Sequence, residues 1–209
     1  MKQIEPSKLL DFVKEKSLVE VVLYYWLGRW VEEKERQILE EMMVLIVDHG
    51  DGPPSAVATS GAAKGGADLL RSVEAGVSKI DASHGGAIEG LMKILVEDER
   101  NESELVGDYL GKGERIPGFG HRIYTDFDPR TKYLFGRLRE LGFGGEYVKR
   151  VEGIERELEK QKGKRLVINI DGAMAVVLLT LGVEPVMANG FFLWPRTAGL
   201  VYRARMNLR

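Results

Sequence analysis

Helical periodicity runs through nearly the whole chain, and no stretch alternates convincingly with the period of two that a half-buried strand needs. In VEEKERQILEEMMVLIVDHG, Ile38, Leu39, Met42, Leu45 and Ile46 fall on one face while the charges cluster on the other, the pattern of a packed amphipathic helix. Ser17 and Glu20 have capping-box spacing ahead of the largely apolar LVEVVLYYWLGRW. Further helices are predicted in ADLLRSVEAGVSKI, GGAIEGLMKILVED, ESELVGDYLGKG, TKYLFGRLREL and EYVKRVEGIERELEKQ. RLVINI reads equally as a short strand or as the buried entry to a helix in GAMAVVLLTLG. The last helix, VEPVMANGFFLWPRTAGLVYRARM, contains Pro195 and is expected to kink or split there.

Composition limits what such a chain can do. With 209 residues, 44% of them hydrophobic, it can bury a core as one compact domain or two small lobes. A net charge of -2 offers no footprint for nucleic acid or an anionic membrane. The absence of cysteine removes disulfides, zinc ribbons and thiol nucleophiles together. The N-terminus, MKQIEPSKLLDFVKEKS, is charged throughout and lacks the apolar core of a signal peptide, and no apolar run has the length of a membrane span. A cytoplasmic protein is expected, with neither nucleic acid nor membrane as a partner.

The irregular connections carry the chemistry. DHGDGPPSAVATSGAAKGG, DASHGG and GERIPGFGHRIYTDFDPR are rich in Gly, Pro, Ser and Asp, and the three histidines, His49, His84 and His121, all lie in them or at their edges. One histidine beside glycine usually does no more than cap a helix or bond within a turn. Three of three is a different pattern: glycine lets backbone approach a ligand closely, and imidazole titrates near neutrality. Arg122, Arg130 and Arg196 lie in or beside Gly- or Pro-containing segments, and a guanidinium is suited to bidentate carboxylate recognition. Arg196 sits in the otherwise apolar FFLWPRTAGLV, where a cation needs a partner. Asp171, in VINIDGAMAVV, is either a helix N-cap, as Asn169 could also be, or an enclosed general base. Together these groups suit acid–base chemistry on a polycarboxylate through an enolate-like intermediate, without a metal. Asp126 and Asp128 have no histidine at metal-ligand spacing, and neither a P-loop nor a dinucleotide fingerprint is present.

GFGHRIYTDFDPR resembles the most distinctive motif of the citrate synthase superfamily. DHG, SHGGAIEG, NIDG and WPRTAGLVYR are similar to its other site segments and occur in the family's order. The similarity runs from about Ser17 to the C-terminus. NIDGAMAVVLL is similar to the NVDG segment of the citryl-CoA lyase module of ATP-citrate lyase, and the short length with the LVEVVLYYWLGRW opening also resembles free-standing citryl-CoA lyases.

The resemblance implies an all-α citrate synthase-like fold with two lobes, lacking the large N-terminal helical region of citrate synthases. Residues 1–83 would form the large lobe, completed by 185–209, and residues 84–184 the small lobe with most catalytic residues. The active site would lie between lobes, in a homodimer. The family pattern implies catalytic roles for His84, which would hold the enol oxygen of acetyl-CoA, His121, which would act on the hydroxyl or carbonyl oxygen, and Asp171, the acid or base at the acetyl carbon. His49, Arg130 and Arg196 would bind oxaloacetate, and Gly118, Phe119, Gly120 and Arg122 would touch coenzyme A. The activity implied is retro-Claisen cleavage of citryl-CoA, with His121 removing the hydroxyl proton and Asp171 protonating the enolate carbon. The CoA thioester is the substrate; neither metal nor a nucleotide bound by this chain alone is implied, and a separate citryl-CoA synthetase is a possible partner. A minimal citrate or 2-methylcitrate synthase is the alternative, and a non-catalytic acyl-CoA-binding subunit a further one. Relatives continue past YRARMNLR with a segment supplying a substrate arginine across the dimer, for which Arg203, Arg205 and Arg209 are possible substitutes.

Overall fold

A computed structural model describes residues 9–81 and 85–208. Among them are eleven α-helices and no strand beyond two isolated bridges, so the fold is all-α. The helices are α1 (Leu9–Phe12), α2 (Leu18–Leu27), α3 (Glu33–Val44), α4 (Pro54–Lys64), α5 (Leu69–Val77), α6 (Ala87–Glu97), α7 (Glu102–Gly111), α8 (Pro129–Glu140), α9 (Glu146–Lys162), α10 (Ile170–Thr180) and α11 (Ala188–Asn207). A short 3-10 turn, Pro185–Met187, leads into α11.

Local signals set several boundaries. The Ser17 hydroxyl accepts from the Glu20 N–H at 3.2 Å and the Glu20 carboxylate accepts from the Ser17 N–H at 2.9 Å. That capping box opens α2, and Gly28 in the left-handed region closes it. Helix α3 buries Ile38, Leu39, Met42 and Met43, with Ile46 just beyond it. Leu45, placed on the same face by periodicity, is the C-cap residue of the helix and is only half-buried, packed against the edge of the core.

Helix α10 is the centre of the core. Every residue from Gly172 to Leu179 is buried, and α6, α8 and α9 pack around it. RLVINI is its entry rather than a strand. Its single antiparallel bridge, Phe119 to Ile168, is followed at once by Asn169, whose side chain accepts from the N–H groups of Asp171 and Gly172. An N-cap opens a helix here, and the apolar run behind it is buried on every side.

Helix α11 packs against α3, α4 and α5. It runs unbroken through Pro195, where the sequence predicted a kink or a split. Proline removes one helix hydrogen bond, but Phe191, Phe192, Pro195, Arg196, Gly199 and Leu200 are all buried, and that packing holds the helix together. A Cβ on Gly199 would lie 1.8 Å from the carbonyl oxygen of Val47. Only glycine lets α11 press against the backbone that leads into Asp48 and His49.

Candidate active site

Arg130 is the hub. Asp128, fully buried, caps α8 by accepting from the Arg130 N–H and grips the same residue's guanidinium, Nε at 2.9 Å and Nη2 at 2.7 Å. This bidentate pair fixes the plane of the fork. The remaining nitrogen, Nη1, reaches His49 Nε2 at 3.1 Å, and Nη2, already on Asp128, also lies 3.3 Å from His121 Nε2. Two histidines from loops more than seventy residues apart therefore meet on one arginine.

His121 is oriented by its own loop. Its Nδ1 accepts from the backbone N–H groups of Ile123 and Tyr124, both at 3.0 Å. A neutral ring with that acceptor must carry its proton on Nε2. Burial pushes the ring below its ordinary pKa, ahead of the opposing Asp128 carboxylate, so the ring is neutral near pH 7. That tautomer lets Nε2 offer a donor to a substrate oxygen. It also leaves two N–H donors, His121 Nε2 and Arg130 Nη2, side by side, a contact that an oxygen acceptor shared between them would relieve.

The loop carrying His121 is stitched to the start of α10. The Asn169 N–H donates to Gly118 O at 3.0 Å, the Asn169 side-chain amide donates to Gly120 O at 2.9 Å, and the Gly120 N–H donates to Val167 O at 2.7 Å. Thr131, in the first turn of α8, adds a bond to Ile168 O at 2.9 Å. Gly118, with a φ of 83°, touches α10 directly: a Cβ there would meet Gly172 Cα at 2.9 Å. Asp171 is thus brought to the same site as His121 and Arg130.

Asp171 keeps some accessible surface, but its carboxyl is enclosed by protein atoms and accepts no hydrogen bond among the described residues. Burial pushes its pKa up to about 6, against the partial relief given by Arg130 and Arg196. Arg196 lies two turns into α11 and is 1% exposed. Its Nε and Nη2 have no partner among the described residues. Its guanidinium lies 5.2 Å from the centre of the Phe192 ring, and burial pushes its pKa down to about 10, which leaves it charged near neutrality. A buried cation with unmet donors is costly unless an anion arrives.

The loop around His49 is held from α11. Arg203 Nε and Nη2 bond both oxygens of Asp48, at 2.7 and 2.8 Å, and Nη1 bonds Asp51. Arg203 is thereby committed within its own chain, which corrects its reading as a substitute substrate arginine; Arg205 is exposed on the last turn, and Arg209 lies outside the described residues. His84 also lies outside them. Gly85, next to it, sits against the Phe192 ring of α11. Of the residues expected at coenzyme A, Gly118 is buried, Phe119 and Gly120 are half-buried, and Arg122 is exposed. No group of three or more His, Asp or Glu gathers to hold a metal among the described residues.

Sequence reasoning passed over Asp128, weighed only as half of an Asp-Xaa-Asp metal pair. The signal was there: Asp-Pro at the head of a helix is an N-cap, and a carboxylate two residues before an arginine can turn back onto it. The Arg203 clamp had no local signal, because its partners lie more than 150 residues away.

Fold and site together define an all-α protein in which a buried arginine on the last helix, with two donors unmet among the described residues, faces a histidine–arginine cluster and an enclosed carboxyl. The chain belongs to the citrate synthase family: the family model described as citrate synthase, C-terminal domain, matches residues 3–206. The structure is similar to that of citryl-CoA lyase from Hydrogenobacter thermophilus, with 40% identity, a TM-score of 0.87, and coverage of 96% of this chain and 79% of the other. A citrate synthase of Haloferax volcanii is 31% identical over 207 residues, 95% of this chain and 52% of its own. A probable ATP-citrate synthase of Dictyostelium discoideum is 28% identical over 208 residues, 88% of this chain and 33% of its own. The chain therefore spans a third to about half the length of these two relatives. Proteins of this family are enzymes acting on CoA thioesters.

Proposed function

We propose that the protein is a citryl-CoA lyase, cleaving citryl-CoA to acetyl-CoA and oxaloacetate by a retro-Claisen reaction. The observation that carries this reading is the Asp171 carboxyl, which accepts no hydrogen bond among the described residues and has a pKa pushed up to about 6, on the helix stitched to the His121 loop. Such a group holds its proton for part of the time near neutrality and can give it to the enolate carbon that C–C cleavage leaves behind. His121 Nε2–H holds the oxygen that is a hydroxyl in citryl-CoA and a ketone in oxaloacetate, and solvent water takes the hydroxyl proton as the C=O bond forms and the C–C bond breaks. Arg130, His49 and Arg196 receive the carboxylates of the oxaloacetate half. On the family pattern His84 holds the enolate oxygen, while Gly118, Phe119, Gly120 and Arg122 contact coenzyme A.

The 40% identity to a citryl-CoA lyase supports cleavage as the direction. The same reading includes a homodimer, a small lobe of residues 84–184 against the remainder, and a separate citryl-CoA synthetase as supplier of substrate. A citrate or 2-methylcitrate synthase is the second reading, favoured by the identity to the Haloferax citrate synthase; the same groups run the reverse reaction, and thioester hydrolysis is the step that a synthase adds.

Two assays test this. Purified protein is given citryl-CoA, and oxaloacetate is followed through NADH consumption by added malate dehydrogenase. In parallel, acetyl-CoA and oxaloacetate are supplied and free CoA is read with a thiol reagent, which a chain without cysteine does not consume. Oxaloacetate in the first assay without CoA in the second is the expected result. CoA release in the second establishes the synthase reading, and silence in both overturns the two together.

A further inference from the structure

Asp48 stands between two arginines of α11. Arg196 and Arg203 are seven residues apart, so they share a face about two turns from one another. Asp48 gives both its oxygens to Arg203, and Asp51, across Gly50 and His49, binds the third corner of the same guanidinium. Arg196 receives neither carboxylate. Its Nε and Nη2 stay unpaired among the described residues, although Asp48 is the carboxylate with the strongest electrostatic hold on it.

We propose that Arg203 is a positioning residue that sequesters Asp48 and so keeps Arg196 open for a substrate carboxylate. A buried guanidinium with unmet donors takes the nearest available anion. Only the stronger bidentate claim of Arg203, reinforced by Asp51, prevents that anion from being Asp48. An internal carboxylate on Arg196 would compete with the substrate directly and would drag the His49 loop toward α11. The inference rests on the assignment of Arg196 to substrate binding.

The competition has a signature that a merely structural salt bridge lacks. In Arg203→Met, Asp48 is released and becomes a competitor, so the KM for citryl-CoA rises tenfold or more while kcat changes less. Adding Asp48→Asn removes the competitor, and the double variant recovers most of the wild-type KM. Asp48→Asn alone changes KM less than threefold, because Arg196 was never shared. Each variant is also titrated with oxaloacetate by calorimetry, and its fold is checked by thermal unfolding. A folded double variant no better than Arg203→Met overturns the proposal, as does an Asp48→Asn whose KM rises as far as that of Arg203→Met, since loop placement would then explain both. If Arg203→Met does not fold, the single Asp48→Asn comparison and Arg203→Lys, which keeps a cation for Asp48 and is expected to stay within a fewfold of wild type, decide the matter. Wild-type turnover with variants that follow none of this order sinks the inference and leaves the lyase reading standing. A wild type without turnover that still binds oxaloacetate with the predicted order among variants sinks the lyase reading alone, and a wild type that binds no oxaloacetate overturns both.

Discussion

A Cβ on Gly172 would stand 2.6 Å from the carbonyl oxygen of Gly118, so the first turn of α10 and the loop that carries His121 touch backbone to backbone. The contact fixes the separation between Asp171, one residue before Gly172, and His121, three residues after Gly118. Asn169 reinforces it by donating to Gly118 O and Gly120 O from its backbone and its side chain.

Gly172→Ala therefore wedges these two segments apart. Inserting a methyl into a filled site costs about 1–3 kcal/mol, which lowers the melting temperature by several degrees in a chain of this size. The expected loss in kcat exceeds the loss in stability, because the acid and the oxygen donor both move. Thermal unfolding and steady-state turnover check this; a Gly172→Ala protein with wild-type kcat would show that the contact does not set the catalytic geometry.

Asp171 lowers the stability of the fold at neutral pH. Its pKa is about 6 in the folded state against the ordinary aspartate value of 3.8, so the folded protein binds this proton more tightly than the unfolded chain does. The sign follows: the fold is not penalised below about pH 3.8, stability falls as pH rises through the window up to about 6, and the penalty is constant above, on the order of 3 kcal/mol. Asp171→Asn is expected to melt several degrees higher than wild type at pH 8, with the gap closing toward pH 4, while turnover falls at least a hundredfold. A variant no more stable than wild type at pH 8 would mean that the carboxyl is better solvated than its setting implies.

Much of this architecture is legible in the sequence where a local rule and burial agree. Ser17 and Glu20 name the start of α2, Ile38 to Met42 mark the inner face of α3, and Asn169 before an apolar run marks α10. Local rules failed where packing from elsewhere decided the outcome. Pro195 does not split α11, because its neighbours are buried on three helices, and Leu45 packs only against the edge of the core while Ile46, beyond the end of α3, is fully buried. Within the site, His49, His121 and Arg130 are visible as residue types in glycine-rich loops, yet nothing local says that Arg130 lies between the two rings. Arg203 is invisible for the same reason: its carboxylates are brought to it by the fold.

The direction of catalysis is readable in pH profiles. Cleavage needs Asp171 protonated at the outset, so kcat/KM for citryl-CoA is expected to fall tenfold per unit as pH rises above about 6. Condensation of acetyl-CoA with oxaloacetate needs the carboxylate, so its kcat/KM rises toward a plateau through the same region. His121, already neutral there, contributes no limb above pH 7. Profiles of equal slope in both directions would remove Asp171 from the proton transfer.

Arg196 sets binding against stability. Buried and with two unmet donors among the described residues, it is a liability to the empty protein, and replacing an unpaired buried ion with an apolar side chain of similar length is neutral or stabilising. Arg196→Met is therefore expected to melt at or above the wild-type temperature. The same change removes a desolvated partner for a substrate carboxylate, worth about 2–5 kcal/mol when one member of such a pair is lost. KM for citryl-CoA should accordingly rise by roughly 30-fold to a few thousandfold, and oxaloacetate should lose its calorimetric signal. Unfolding curves and titrations on one preparation separate the two effects. A destabilised Arg196→Met with unchanged oxaloacetate affinity would show that the guanidinium serves the fold, and its unmet donors would then have to be satisfied by the chain itself.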